Sequence, residues 1–305
     1  MTLLIRHSLL LMFLCAILGF LFPSASMALF PFLPFVLFSL MTLTLLGIDQ
    51  VKLMERLSRL NIWLYTAFHS LVLMLLVGVI GWLLGFSIEL GLASVAIAAT
   101  GSLFATPAIV RALDFDVMQA MAMTIATTLS LPIVIVLTLL VYQTEAIELD
   151  WVGYCYRLMI FIFGPMLFSY CIHKAVPKVV LNRFLSKITP YTIFLVFAFP
   201  FGLIGGYRTL FDQAPWIAFN YFLIATGLCF LFFGLSYCVY RRKGAAFAIT
   251  AAITSGNRNV LLTYTIAGSL LGPAFLPLAG AIQLPTYLLP VISRWMSNRA
   301  KKQEE

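Results

Sequence analysis

About ten stretches of roughly 17 to 25 residues, each nearly free of charge, follow one another along this chain of 305 residues. That feature decides the class of fold. An apolar run of this length is what a helix needs to cross the hydrocarbon core of a bilayer, and a soluble domain of this size has no interior large enough to hide so many. Composition agrees: 62% of the residues are hydrophobic, 10% are charged, and the mean hydropathy is +1.04. The sequence is read as an all-α polytopic membrane protein whose principal partner is the lipid bilayer.

The spans fall near residues 7–22, 29–48, 61–85, 91–112, 116–142, 151–173, 187–208, 214–240, 244–270 and 273–296. The first competes with a cleavable secretory signal, because Arg6, the apolar run from Ser8 to Phe22 and the small residues of FPSASMA imitate one. It is kept as a transmembrane helix because the charge distribution works only with it. The segments DQVKLMERLSRLN, HKAVPKVVLNRFLSK, YRRKG and the tail RWMSNRAKKQEE are basic, whereas GFSIELG and YQTEAIELDW carry only acids. An even number of spans puts every basic segment and both termini on one side, which the positive-inside rule makes cytoplasmic. The net charge of +8 therefore reports orientation, not an affinity for nucleic acid. Five cysteines without a Cys-x-x-Cys pair are read as small packing residues and not as a metal site.

Besides Arg6 at the N-terminus and Arg111 between the fourth and fifth spans, which fall on the same side, only Arg157, Arg208 and Arg258 lie outside the basic segments. Arg208 is assigned to a short outer loop with Asp212. Arg157 is expected to snorkel outward to Glu148 or Asp150. Arg258 has no such exit: it is the only charged residue between Lys243 and Arg294, and it lies roughly 22 Å along a helix from the YRRKG cluster, deep in a core about 30 Å thick.

Five spans on each side of the basic loop around Lys178 divide the single domain, 1–305, into halves of about 1–143 and 150–297. An odd number per half inverts one half relative to the other, the inverted-repeat plan of many secondary transporters. That plan predicts one interrupted span in each half. The fourth span reads AIAATGSLFATPAIV and the ninth FAITAAITSGNRNVLL. Each is an alanine-rich half-helix ended by a hydroxyl-glycine step, Thr100-Gly101 and Ser255-Gly256. Pro107 removes a backbone donor in one, and Asn257 and Asn259 flank the break in the other. Glycine and proline also occur in ordinary membrane helices, where small residues mark close packing; the matched placement favours a transport site.

With the breaks so placed, the chain resembles the bile acid:sodium symporter family over nearly its whole length: ten spans, Gly101-Ser102 in the fourth, AMTIATTLS in the fifth, and Gly256 followed by Asn259 in the ninth. In FHSLVLML of the third span, His69 falls at the family's Gln position. The resemblance implies a panel of helices 1, 2, 6 and 7 moving against a core of helices 3–5 and 8–10, with broken helices 4 and 9 crossing at the substrate site. It further implies two sodium ions, with Thr124, Thr127 and Thr128 on the fifth span as residual ligands. Departures surround them. The Ser-Asn pair expected after the fourth break falls near Thr106, Pro107 and Ala108, the ninth-span Glu falls on Thr254, and the Gln falls on Arg258. A guanidinium within a few Å of a hard cation costs several kcal/mol even at an effective dielectric near 20, so sodium coupling is doubtful and no other cofactor is expected.

An arginine at membrane depth costs at least about 2.5–3.5 kcal/mol on insertion scales and must face protein or a water-filled cavity. No Asp or Glu lies in the apolar centre of any span. The remaining partners are carbonyls near Gly256 and Gly101, or an anion from solvent, for which the planar fork is suited. A permanent internal strut is the competing reading. His69 is the only histidine at membrane depth, either a proton-coupling group or a hydrogen-bonded member of the bundle. Gln283, between Gly280 and Pro285, is a cavity-wall position.

The expected function is alternating-access transport of a small organic anion, in a bacterial inner membrane, coupled to protons or uncoupled if not to sodium. An enzyme is not expected, since no paired carboxylate, His-Glu cluster or nucleophile with a base lies at depth. A non-transporting sensor or assembly subunit is the other alternative. The sequence fixes neither substrate identity nor oligomeric state.

Overall fold

The structure, a computed structural model, describes residues 8–142 and 150–304. Arg6 and Glu148, each given a role above, lie outside the described residues.

Among those residues the chain is helical throughout, with no strand. The helices are α1 (Ser8–Leu21), α2 (Pro23–Leu46), α3 (Gln50–Leu57), α4 (Leu60–Leu83), α5 (Ile88–Ala99), α6 (Thr106–Ala112), α7 (Val117–Tyr142), α8 (Trp151–Ala175), α9 (Lys178–Ile188), α10 (Thr192–Gln213), α11 (Pro215–Tyr240), α12 (Ala245–Gly256), α13 (Val260–Ala267), α14 (Phe275–Ala281), α15 (Gln283–Thr286) and α16 (Leu289–Glu304). Seven helical segments are long and apolar enough to cross a membrane. Three apolar helices are shorter: Leu10–Leu21, Ile88–Ala99 and Ala245–Gly256. Two of these, α5 and α12, each stop where a Thr-Gly or Ser-Gly step interrupts an apolar run.

Two segments expected as basic loops are helices. Asp49 accepts the amides of Val51 and Lys52 and starts α3 as its N-cap. The bond from the Lys52 amide is the main reason its carboxyl is held below the ordinary aspartate range. In α9, Leu181 and Leu185 are buried while Lys178, Arg183 and Lys187 are exposed, the pattern of a helix lying along a membrane surface.

Two arginines also sit differently from expectation. Arg208 and Asp212 belong to the last turns of α10, not to a loop, and pair at 2.8 Å one helical turn apart. Arg157 does not reach outward: its Nε donates to the Ile266 carbonyl at 2.7 Å, tying α8 to the end of α13, while Asp150 caps α8 through the Gly153 amide.

The glycines of FPFGLIGG serve close packing: a Cβ on Gly202, Gly205 or Gly206 would meet Leu33, Ser26 or Leu276 at 2.8, 2.6 and 2.7 Å. α10 runs unbroken through Pro200. A Cβ on Gly280 of α14 would meet the Leu203 carbonyl oxygen at 2.8 Å and Tyr207 Cβ at 2.9 Å, so backbone touches side chain and backbone across this crossing. α10 also packs on α1 and α2, and α2 packs on α8. In the rest of the molecule α5 lies among α4, α7 and α14, and α12 among α7, α11 and α16. Every residue from Gly91 to Ala99 and from Ala248 to Gly256 is buried, so both interruptions are delivered to the centre of the protein.

Candidate functional site

An interrupted helix leaves amides and carbonyls without partners, and in a bilayer these must be satisfied inside the protein. Here the two breaks satisfy each other. Leu103 N donates to the Asn257 carbonyl at 2.8 Å, and Asn259 N donates to the Gly101 carbonyl at 2.8 Å, so that Ser102 and Arg258 face one another as an isolated antiparallel bridge. Gly101 is needed for this approach, because a Cβ there would lie 3.1 Å from the Thr127 carbonyl oxygen and the Thr128 amide of α7. Gly256 meets the Leu289 side chain in the same way on the other break. α7 also supplies Thr127 Oγ1, which accepts the Ser102 amide at 3.1 Å and donates back within its own helix.

Arg258 is 4% exposed and enters this crossing. Its Nη1 donates to His69 Nε2 at 2.7 Å, to the carbonyls of Ala98 and Thr100 at 2.9 Å each, and to the His69 carbonyl at 3.3 Å. Ala98 and Thr100 end α5, where unpaired carbonyls carry the negative end of the helix dipole. The expectation of carbonyl partners near the fourth-span break is met by these residues; the Gly101 carbonyl is taken by Asn259 N. The Phe232 ring of α11 lies 4.2 Å below the guanidinium carbon, a cation–π contact in a desolvated setting.

The other end of the fork is bare. Nε and Nη2 of Arg258 are buried and have no hydrogen-bond partner among the described residues, and neither has Asn259 Nδ2. Arg258 and Asn259 line a cleft with Gln283 and Tyr287 on one wall and Met12, Val196, Phe199 and Leu203 of α1 and α10 on the other. It is narrow, with room for about one water molecule.

His69 sits in a π-helical turn, Phe68–Val72, of α4, a distortion often found at functional sites. Both its nitrogens are committed. Accepting from the guanidinium at Nε2 places the proton on Nδ1, 3.1 Å from Ser255 Oγ, whereas the other tautomer donates from Nε2 to the Thr100 carbonyl at 3.0 Å. Ser255 Oγ lies 2.9 Å from Tyr65 Oη, and Tyr65 Oη donates to the Ala251 carbonyl at 3.2 Å. In this chain each donor meets an acceptor.

The remaining expected residues divide. Thr100 Oγ1 joins Thr263 Oγ1 at 3.0 Å across the breaks, and Ser102 Oγ reaches Thr106 Oγ1 at 3.4 Å. Pro107 stands in the first turn of α6, where a missing amide costs nothing. Asn257 Nδ2 and Thr254 Oγ1 turn back to their own helix, to Ile253 and Thr250 carbonyls. Asn259 Oδ1 caps α13 through the Leu262 amide. Gln283 donates to Ala279 and accepts from Tyr287 while lining the cleft. Of the three α7 threonines expected as sodium ligands, Thr127 is spent on the crossing, and Thr124 and Thr128 keep buried hydroxyls without partners among the described residues.

The sequence reading missed Tyr65, Thr263 and Phe232. Tyr65 was within reach: it lies four residues before His69 on a helix, the spacing that places side chains one above another. Thr263 and Phe232 had no local signal. No family model matches the chain, and no curated protein matches it.

Proposed function

We propose that this chain is a secondary transporter of a small organic anion, built on the plan of the bile acid:sodium symporters as ten membrane helices in two inverted five-helix repeats. α1, α2, α8 and α10 form the moving panel, and the helices around the crossing form the core. The reciprocal bonds between the two breaks support this plan, since each break offers the other one amide and one carbonyl.

The observation that carries the reading is the lopsided bonding of Arg258. One end of the guanidinium is crowded with acceptors, whereas the buried Nε and Nη2 stand unpartnered at a cleft shared by core and panel residues. A carboxylate or sulfonate binding that edge would gain paired, charge-assisted hydrogen bonds, with Asn259 Nδ2 as a further donor. The cleft admits about one water in this conformation, so loading requires the panel to withdraw from the crossing.

Sodium coupling fits these residues poorly. The carbonyls of Ala98 and Thr100, the oxygen type a hard cation needs, already receive Nη1, and the Thr254 hydroxyl is turned onto Thr250 at 2.6 Å. Arg258 thus takes the place of an ion. Proton coupling through His69 fits poorly as well, because both ring nitrogens are occupied in bracing the crossing. The bacterial inner membrane, with both termini cytoplasmic, is the setting that the basic segments favour.

The test is thermal stability of the purified protein against a panel of organic carboxylates and sulfonates in sodium and in potassium, followed by substrate counterflow in liposomes. Stabilisation in potassium that Arg258→Gln abolishes, or makes sodium-dependent, is the expected result. A sodium requirement in the wild type would overturn the replacement of the ion by arginine, and absence of any anion response and of counterflow would overturn transport.

A further inference from the structure

Between α2, α8 and α9 the molecule carries a second feature, separate from the crossing. A groove of about 540 Å³, within the size range of small-molecule sites, runs between the C-terminal ends of α2 and α8 and is floored by α9. Its lining is almost wholly apolar: Phe38, Leu43 and Leu46 of α2, Phe168 of α8, and Val180 and Phe184 of α9 contribute to it. Two hydroxyls line it: Ser39 is exposed at the rim, and Thr42 is buried. Thr42 is 6% exposed, and its Oγ1 is buried without a hydrogen-bond partner among the described residues. A threonine hydroxyl in a membrane helix has a carbonyl of its own helix within easy reach; Thr42 lines the groove and leaves that bond unmade, so its hydroxyl is a donor without an acceptor.

Cations stand beside the groove on α9 and on the connection before it, outside the apolar lining. Lys174 and Lys178 bracket the connection from α8 to α9, and Arg183 and Lys187 follow on α9; all four are exposed. On α9 these cations are interleaved with Val179, Val180 and Phe184, which are exposed hydrophobics. A helix with Lys and Arg at its polar edge and large apolar residues beside them rests at the level of the lipid headgroups. Apolar volume below, a hydroxyl at intermediate depth and positive charge above follow the order of acyl chain, ester and phosphate in a phospholipid.

We infer that this groove is a binding site for an anionic glycerophospholipid of the leaflet facing the basic segments. One acyl chain lies between α2 and α8, an ester carbonyl accepts from Thr42 Oγ1, and the phosphate lies against Lys178 and Arg183. The groove is made from α2, α8 and α9 alone, so the lipid holds these helices as one body. This inference does not depend on the transport reading.

The experiment uses the full-length protein in a neutral detergent, with dioleoyl phosphatidylglycerol or dioleoyl phosphatidylcholine added, and reads lipid retained by native mass spectrometry together with the melting temperature. Expected is preferential retention of phosphatidylglycerol, weakened roughly tenfold or more in Lys178→Gln/Arg183→Gln. Ser39→Trp fills the groove from its exposed rim, and should abolish retention of either lipid while the lipid-free protein still melts cooperatively. If Ser39→Trp fails to fold, Thr42→Val, which removes only the hydroxyl, should lower phosphatidylglycerol retention several-fold. Equal retention of the two lipids by the wild type would overturn the inference, as would undiminished phosphatidylglycerol binding in the charge and groove variants.

Discussion

Arg258→Gln and Arg258→Lys separate the bracing contacts of the guanidinium from the binding role proposed for it. Nη1 carries the hydrogens that reach His69 Nε2 and the Ala98 and Thr100 carbonyls, and bonds from a charged donor are worth about 1.5–3 kcal/mol each, or roughly 3–6 kcal/mol for the two that can form at once. The Phe232 face adds about 2 kcal/mol in a desolvated setting. Against this stands the cost of keeping an arginine at membrane depth, about 2.5–3.5 kcal/mol, which the substitution relieves. The net loss for Arg258→Gln is therefore about 1.5–5.5 kcal/mol, a fall in melting temperature on the order of 3–15 °C for a chain of this size.

Arg258→Lys divides the two roles. An ammonium can donate to the Ala98 and Thr100 carbonyls but presents no second edge, so about half of the stability loss should be recovered while the anion response is lost. The assay is a melting curve in detergent followed by tryptophan fluorescence, with and without the anion that stabilises the wild type most. If Arg258→Lys keeps the full anion response, the bare edge is not the binding group. If Arg258→Gln melts at the wild-type temperature, the crowded end braces nothing.

His69→Phe removes both the acceptor for Nη1 and the donor to Ser255, and should lower stability by about 3 kcal/mol by thermal melting; His69→Gln, which restores one donor and one acceptor, should lose less than half of that and leave the pH profile of counterflow unchanged. A changed profile would return His69 to proton coupling. Gly280→Val drives a side chain into the Leu203 carbonyl and Tyr207 and should destabilise by about 1–3 kcal/mol. The control is Gly227→Ala in α11, where a Cβ would meet nothing within 4 Å, and which should be neutral or stabilising by up to about 1 kcal/mol.

What the sequence disclosed and what it withheld follow from the range of each interaction. Helix breaks are local, and Thr100-Gly101 and Ser255-Gly256 mark theirs by chemistry that fails to continue a helix. The amphipathic pattern of KVVLNRFLSKI is also local: Leu181 and Leu185 repeat at one turn, and the segment is a surface helix although it was expected as a loop. The carbonyl partners of Arg157 and Arg258 carry no side-chain signature. Ile266 and Ala98 are ordinary apolar residues, distinguished only by standing at the ends of short helices, and where those ends meet an arginine is decided by packing over more than a hundred residues. The unpaired Thr42 is of the same kind, since its spacing resembles that of any small hydroxyl in a membrane helix.

A covalently held cation has a consequence for energetics that a bound sodium does not. Sodium arrives from one side and leaves on the other, so its gradient does work and its charge offsets that of an anionic substrate. Arg258 stays with the protein in every state and cannot transmit an ion gradient. Transport in which neither sodium nor a proton travels with the substrate moves net negative charge, and the membrane potential then acts on it directly, at about 2.3 kcal/mol per elementary charge per 100 mV. For a monovalent anion in liposomes that is a shift in the equilibrium accumulation ratio of roughly fiftyfold per 100 mV, towards the positive side. Setting the potential with a potassium gradient and valinomycin, at equal sodium and pH on both sides, makes the measurement. An accumulation ratio that ignores the potential would mean that a compensating cation moves with the substrate, and Arg258 would then be a brace beside an ion site rather than its replacement.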